Sequence, residues 1–95
     1  MKNFRGKLAV ITGAGTGMGR ELALQLTTEG CHVAMCDVSA ATMAETKGRC
    51  EASAPAGTRI STHLCDVSDE TQVLAFRDAV QAAHTGHLGF TAVHA

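Results

Sequence analysis

The sequence contains no tyrosine and no tryptophan, and only three phenylalanines. With no phenol in the chain, proton transfer at neutral pH falls to histidine or cysteine. No apolar run approaches the ~20 residues of a membrane-spanning helix. The basic lead-in from Met1 to Lys7 is followed by an apolar run too short for a signal peptide. A cytoplasmic protein with no membrane partner is expected. Net charge is −1 with a pI near 6.5, so there is no basic field to attract nucleic acid. The four cysteines, at 31, 36, 50 and 65, form no Cys-x-x-Cys, which leaves no signal for a zinc knuckle or a redox pair. They are expected to be reduced and buried. His84, His87 and His94 cluster near the end, but no cysteine or carboxylate stands beside them at ligand spacing, so no metal site is expected. Repeats and low-complexity tracts are absent, and 95 residues make one domain, 1–95.

What the chain has is glycine in one place. Leu8 to Ile11 are apolar without a break, and Gly13, Gly15, Gly17 and Gly19 follow at alternate positions. A short apolar run closed by glycine reads as a buried strand. Glycines at the mouth of a helix let backbone N–H groups approach a phosphate. Spacing narrows the choice. A P-loop needs Gly-Lys after four intervening residues, and Met18 or Arg20 stands where its second glycine should be. The common G-x-G-x-x-G fingerprint fails at the same two positions. What fits is Thr12-Gly13-x-x-x-Gly17-x-Gly19, and also Gly13-x-Gly15-x-Gly17.

The rest of the chain alternates in kind. A first helix over 17–29 carries Met18, Leu22, Ala23, Leu26 and Glu29 on the stripe toward the sheet and turns Arg20, Glu21, Gln25 and Thr28 to water. Gly30 ends it. A second strand, Cys31 to Cys36, closes at Asp37. Ser39 is the N-cap of a helix over 40–52, carried by Ala40, Met43, Ala44 and Cys50. Ala54-Pro55-Ala56-Gly57 is a turn. Arg59 to Cys65 form a third strand ending in Asp66-Val67. Ser68 caps a third helix, with Asp69 and Glu70 in its first turn and Val73, Phe76, Val80 and Ala83 on its apolar period. Phe90 to Val93 can form a short fourth strand. The order βαβαβα, with short connections, predicts an α/β fold: part of a doubly wound, Rossmann-type parallel sheet.

The spacing Thr12-Gly13-x-x-x-Gly17-x-Gly19 resembles the cofactor-binding signature of the short-chain dehydrogenase/reductase family. The resemblance runs from residue 7 to about 84. It implies an oxidoreductase that moves hydride between a nicotinamide cofactor and an alcohol or ketone. Asp37, at the end of the second strand, is implied to accept the adenosine ribose hydroxyls, and Asp66-Val67 to contact the adenine. A carboxylate there repels a 2′-phosphate, and no Lys or Arg stands at 14–16 or 38–41, which predicts NAD rather than NADP. The expected cofactor-binding set is Gly13, Gly15, Thr16, Gly17, Met18 and Gly19 with Asp37, Val38, Asp66 and Val67. The dinucleotide is the expected partner.

The pattern also breaks. The resemblance implies a catalytic Tyr, a Lys four residues later, a Ser and an earlier Asn, yet there is no Tyr, the last lysine is Lys47, and Asn3 is the one asparagine. No catalytic residue carries over, so a truncated chain that is inactive alone is expected. Marginal stability is expected too, since so short a chain buries only about 60–65% of its unfolded surface. If residues 90–93 leave the first strand unpaired, its apolar edge would pair with another chain, as a homo-oligomer or on a full-length enzyme. That is one alternative function, a non-catalytic interaction module. The other is a methyltransferase fragment. Gly13-x-Gly15-x-Gly17 resembles the first motif of S-adenosylmethionine-binding enzymes, although Ile11 stands where those usually carry an acid.

Overall fold

The computed structural model describes residues 4–84 and 90–94. The elements are β1 (Leu8–Thr12), α1 (Gly17–Thr28), β2 (His32–Asp37), α2 (Ala40–Ser53), β3 (Ile60–Leu64), α3 (Glu70–Ala83) and β4 (Phe90–His94). The strands form one parallel sheet in the order β3-β2-β1-β4. Successive crossovers from β1 to β2 to β3 move the same way across the sheet, so α1 and α2 lie on one face. The crossover from β3 to β4 moves back, and right-handedness puts α3 on the other face.

Alternation along the strands feeds both layers. Ala9, Ile11, Val33 and Met35 point toward α1 and α2 and are buried with Ala23, Leu26, Met43 and Cys50. Leu8 and Ala34 point the other way and meet Val80 of α3, with Val10 and Phe76 partly buried beside them. Gly30 has φ +86° and follows the end of α1. Its N–H donates to Thr27 O at 3.0 Å and the Cys31 N–H to Leu26 O at 3.0 Å. These two bonds make the left-handed helix stop expected of a glycine there.

The short fourth strand forms, and β4 pairs with β1 in parallel from Leu8 opposite Phe90 to Thr12 opposite His94, so the condition for an open apolar edge on β1 is not met. Several expectations need correction. Met18 of α1 and Glu29, the residue that caps its end, are exposed, and the buried stripe includes Thr27, whose hydroxyl donates to Ala23 O at 2.8 Å. Arg20 does not face water. On α2, Ala40 and Ala44 are exposed and Thr46 is buried with Met43 and Cys50. Val73 of α3 stands at the margin of exposure, and Val80 is the buried residue of that helix. Ser39 caps α2, accepting from the Thr42 N–H at 3.3 Å. Asp69, not Ser68, caps α3, its carboxylate accepting from the Gln72 N–H at 3.2 Å. The Ser68 hydroxyl is drawn instead to Asp66 Oδ1 at 2.7 Å. His87 lies outside the described residues, and with it the grouping of His84, His87 and His94. Among the described residues no helix is long and apolar enough to cross a membrane.

Candidate functional site

Parallel strands put their carboxyl ends on one edge, and ligands of such sheets bind there. Three chain segments leave that edge side by side: the glycine turn after β1, Asp37-Val38 after β2 and Cys65-Asp66-Val67 after β3. Backbone bonds stitch them together. The Ala14 N–H donates to Cys36 O at 3.3 Å, and the Cys65 N–H donates to Asp37 O at 3.0 Å. The side chain of Asp37 completes the join, its Oδ2 accepting from the Gly15 N–H at 2.8 Å. Its Oδ1 accepts from the Val38 N–H at 2.6 Å. The carboxylate is thus half-buried and oriented, and each oxygen keeps a lone pair for a further donor.

The glycines act in different ways. A Cβ on Gly19 would run into the backbone of Gly13 and come within 3.0 Å of Ala14 Cα, so glycine there lets α1 pack directly on the turn. A Cβ on Gly15 would strike Thr42 Oγ1 and lie 2.7 Å from Asp37 Oδ2. Gly17 faces open space but has φ +58°, which glycine adopts without strain. Thr16 is the N-cap of α1, yet its side chain makes no capping bond and no acid stands in the first turn. Donors at that helix mouth are therefore not answered by their own cap, and the dipole favours an anion there. A pyrophosphate fits such a cradle.

Around it lie exposed apolar side chains. Met18 is 82% exposed, Val38 68% and Val67 55%, and Leu64, beside Asp37 in the β2–β3 register, is 66% exposed. A flat ring could cover them. Asp66 is exposed; its backbone N–H donates to Gln72 Oε1 of α3 at 2.8 Å, and its carboxylate bonds within its own turn. Its Oδ1 accepts from the Ser68 hydroxyl and, at 2.9 Å, from the Ser68 N–H. Those bonds, the hydroxyl's first, hold its carboxyl below the ordinary value.

All ten expected cofactor-binding residues thus lie at this one edge of the sheet, and Gly15 and Asp37 touch. Sequence reasoning missed Arg20 and Thr46. Arg20 Nη2 donates to Gly15 O at 2.6 Å, and its Nε donates to Thr46 Oγ1 at 2.8 Å. Two signals were available. A cation in the first turns of a helix opposes the dipole and needs a reason to be there. A threonine in the Met43–Cys50 stripe must find a buried partner. The thiols offer no nucleophile. All four cysteines are free and buried, and burial, then the neighbouring Cys65 thiol, pushes Cys36 up to about 12.

Comparison with known proteins agrees with this fold. The short chain dehydrogenase family model matches residues 7–90. SadH of Mycobacterium tuberculosis is 42% identical over 86 residues, covering 90% of this chain and 30% of that protein. Dehydrogenase/reductase SDR family member 11 of Bos taurus is 33% identical over 90% of this chain and 33% of its own length. The chain therefore spans about a third of these relatives. The crystal structure of levodione reductase superposes with a TM-score of 0.83 at 34% identity, covering 92% of this chain and 33% of that one. A short chain dehydrogenase/reductase from Burkholderia phymatum, solved in complex with NAD, gives 0.77 at 38% identity, covering 87% and 28%.

Proposed function

The chain belongs to the short chain dehydrogenase family, and on that premise we propose that its strand ends hold the adenosine half of a nicotinamide dinucleotide, NAD in preference to NADP. The observation that carries the reading is the Asp37 carboxylate, aimed by the Gly15 and Val38 amides. Its free lone pairs suit two ribose hydroxyls, and its charge opposes a 2′-phosphate. Arg20 is the cation close to the turn, but its donors go to Gly15 O, Thr42 O, Thr46 and Glu45. The amides around Gly13, Thr16, Gly17 and Met18 take the pyrophosphate, with Gly19 allowing the close approach of α1. Val38, Asp66 and Val67 flank the adenine. The bound dinucleotide would supply a hydride acceptor or donor.

Oxidation of an alcohol or reduction of a ketone also needs a proton donor at the substrate oxygen. No tyrosine is present to serve, and burial raises the thiols of Cys31, Cys36 and Cys50. Because the Tyr and Lys of the family's catalytic pattern are absent from these 95 residues, we expect them to act alone as a binding unit, silent in turnover. Four free buried thiols suit a reducing compartment such as the cytoplasm.

Calorimetric titration with NAD, NADP and S-adenosylmethionine tests the reading. NAD should bind, NADP at least about tenfold more weakly, given one full charge opposed at close range. S-adenosylmethionine binding more tightly than NAD would overturn it.

A further inference from the structure

The peptide unit joining Ala14 to Gly15 is gripped at both ends. Its N–H donates to Asp37 Oδ2 at 2.8 Å. Its carbonyl oxygen, Ala14 O, accepts from the Thr46 hydroxyl at 3.0 Å. Thr46 is fully buried, and it reaches the turn from α2, far away in sequence. The next carbonyl, Gly15 O, accepts from Arg20 Nη2 at 2.6 Å, while Arg20 Nε donates to the Thr46 oxygen at 2.8 Å. The same Nη2 also donates to Thr42 O at 3.2 Å. The Arg20 side chain is only 16% exposed, and its ion pair with Glu45 closes its outer side.

We propose that Thr46 and Arg20 are positioning residues for Asp37: they fix the rotation of the Ala14–Gly15 peptide plane, and the plane aims the carboxylate at the ribose. The proposal rests on the ribose reading of Asp37. A threonine hydroxyl has one proton and two lone pairs. Arg20 Nε occupies one lone pair of the oxygen, and the single proton has three carbonyls in reach: Ala14 O at 3.0 Å, Thr42 O at 3.2 Å and Gly15 O at 3.3 Å, of which Ala14 O is the nearest. Without the hydroxyl, Ala14 O loses its buried partner and the plane can turn. Gly15 has no Cβ to resist that rotation, and Oδ2 then loses the amide that orients it.

The test uses the 95-residue chain with ADP and 2′-deoxy-ADP as probes, and the variants Thr46→Val, Thr46→Ser and Arg20→Lys. The parent should favour ADP by at least about fivefold, as a charge-assisted bond to the 2′-hydroxyl implies. Thr46→Val should bring that ratio near one with little change for 2′-deoxy-ADP, and Thr46→Ser should restore it. Arg20→Lys keeps the charge but cannot serve both oxygens, so its ratio should also fall. A purely structural role would weaken both ligands together and keep the ratio, which would overturn the proposal. A parent ratio of one would instead remove the ribose reading of Asp37. A ligand-free measurement separates the two. Amide exchange at Gly15 should quicken by at least about tenfold in Thr46→Val, or in Arg20→Lys if that variant alone folds, while Val33 in the core is unchanged. Unaltered exchange at Gly15 would sink the positioning role whatever the ligands do.

Discussion

The two faces of the sheet are built to different standards. Toward α1 and α2, Ile11, Val33 and Met35 are wholly buried, and the two helices touch each other as well as the strands. Toward α3, the buried cluster among the described side chains is Leu8, Ala34 and Val80, and Leu74 stays exposed while Phe76 is partly so. Polar contacts differ likewise. On the α1–α2 side, Arg20 and Thr46 bind helix to turn. On the α3 side, Ser61 Oγ lies 2.8 Å from His63 Nε2 and 2.7 Å from His84 Nε2, and His63 stacks at a tilt on Phe76. The glycine turn and Asp37 are braced from the tight face. The loop carrying Asp66 leads into α3 and is held by the Cys65 N–H bond to Asp37 O, by its own turn and by Gln72 of α3. On the proposed reading, the edge is braced by α1 and α2 at its pyrophosphate and ribose end and by fewer contacts at its adenine end.

The largest test of that contrast is core truncation. Ile11→Ala should cost about 2–5 kcal/mol, whereas Phe76→Ala should cost only about 1–2 kcal/mol because that ring is part-exposed. Urea midpoints of the two variants measure both, and equal losses would break the comparison.

Binding offers the next test. Asp37→Ala should weaken ADP-ribose at least about tenfold, since two charge-assisted bonds are removed, with the fold retained. Asp66→Ala should cost about threefold or less, because its carboxylate is solvated. Calorimetry that ranks the two in reverse would place the anchoring on the α3 side.

Helix caps come third. Ser39→Ala and Asp69→Ala each remove a cap worth about 1 kcal/mol. The first should lower global stability, the second mainly quicken amide exchange within α3, because a weakly docked helix opens on its own. Exchange that rises across the whole chain in Asp69→Ala would show α3 to be as tightly coupled as α2.

The smallest effect is pH. Burial lowers the pKa of His63 below its ordinary value, so the unfolded chain takes up that proton first. The stability that neutral His63 contributes is present above about pH 6.5 and is lost as pH falls through that value toward the folded pKa. Between pH 7.5 and 5.5, exchange should rise in β3 and α3 before β1 and β2, and His63→Gln should blunt the rise. Loosening that begins at β1 would contradict the contrast.

The sequence alone determined the βαβαβα order, the glycine turn and the two acids at strand ends, because each depends on local periodicity or on glycine's freedom; that β4 pairs with β1 and completes the β3-β2-β1-β4 order was decided by the structure. The sequence also placed the Ser39 cap and the Gly30 stop, both set by bonds within a few residues. The structure alone decided how elements remote in sequence use their polar groups. Arg20 reads as a solvent-facing residue by helical period, yet α2 packs over it and Thr46 meets it. Met18 reads as core, yet no element of the described chain covers it. Ser68 and Asp69 are equally good caps, and the choice fell to Asp69 once Asp66 claimed the serine hydroxyl. Periodicity says which side of a helix faces inward, but the partner waiting there comes from another part of the chain, and only the folded packing brings the two together.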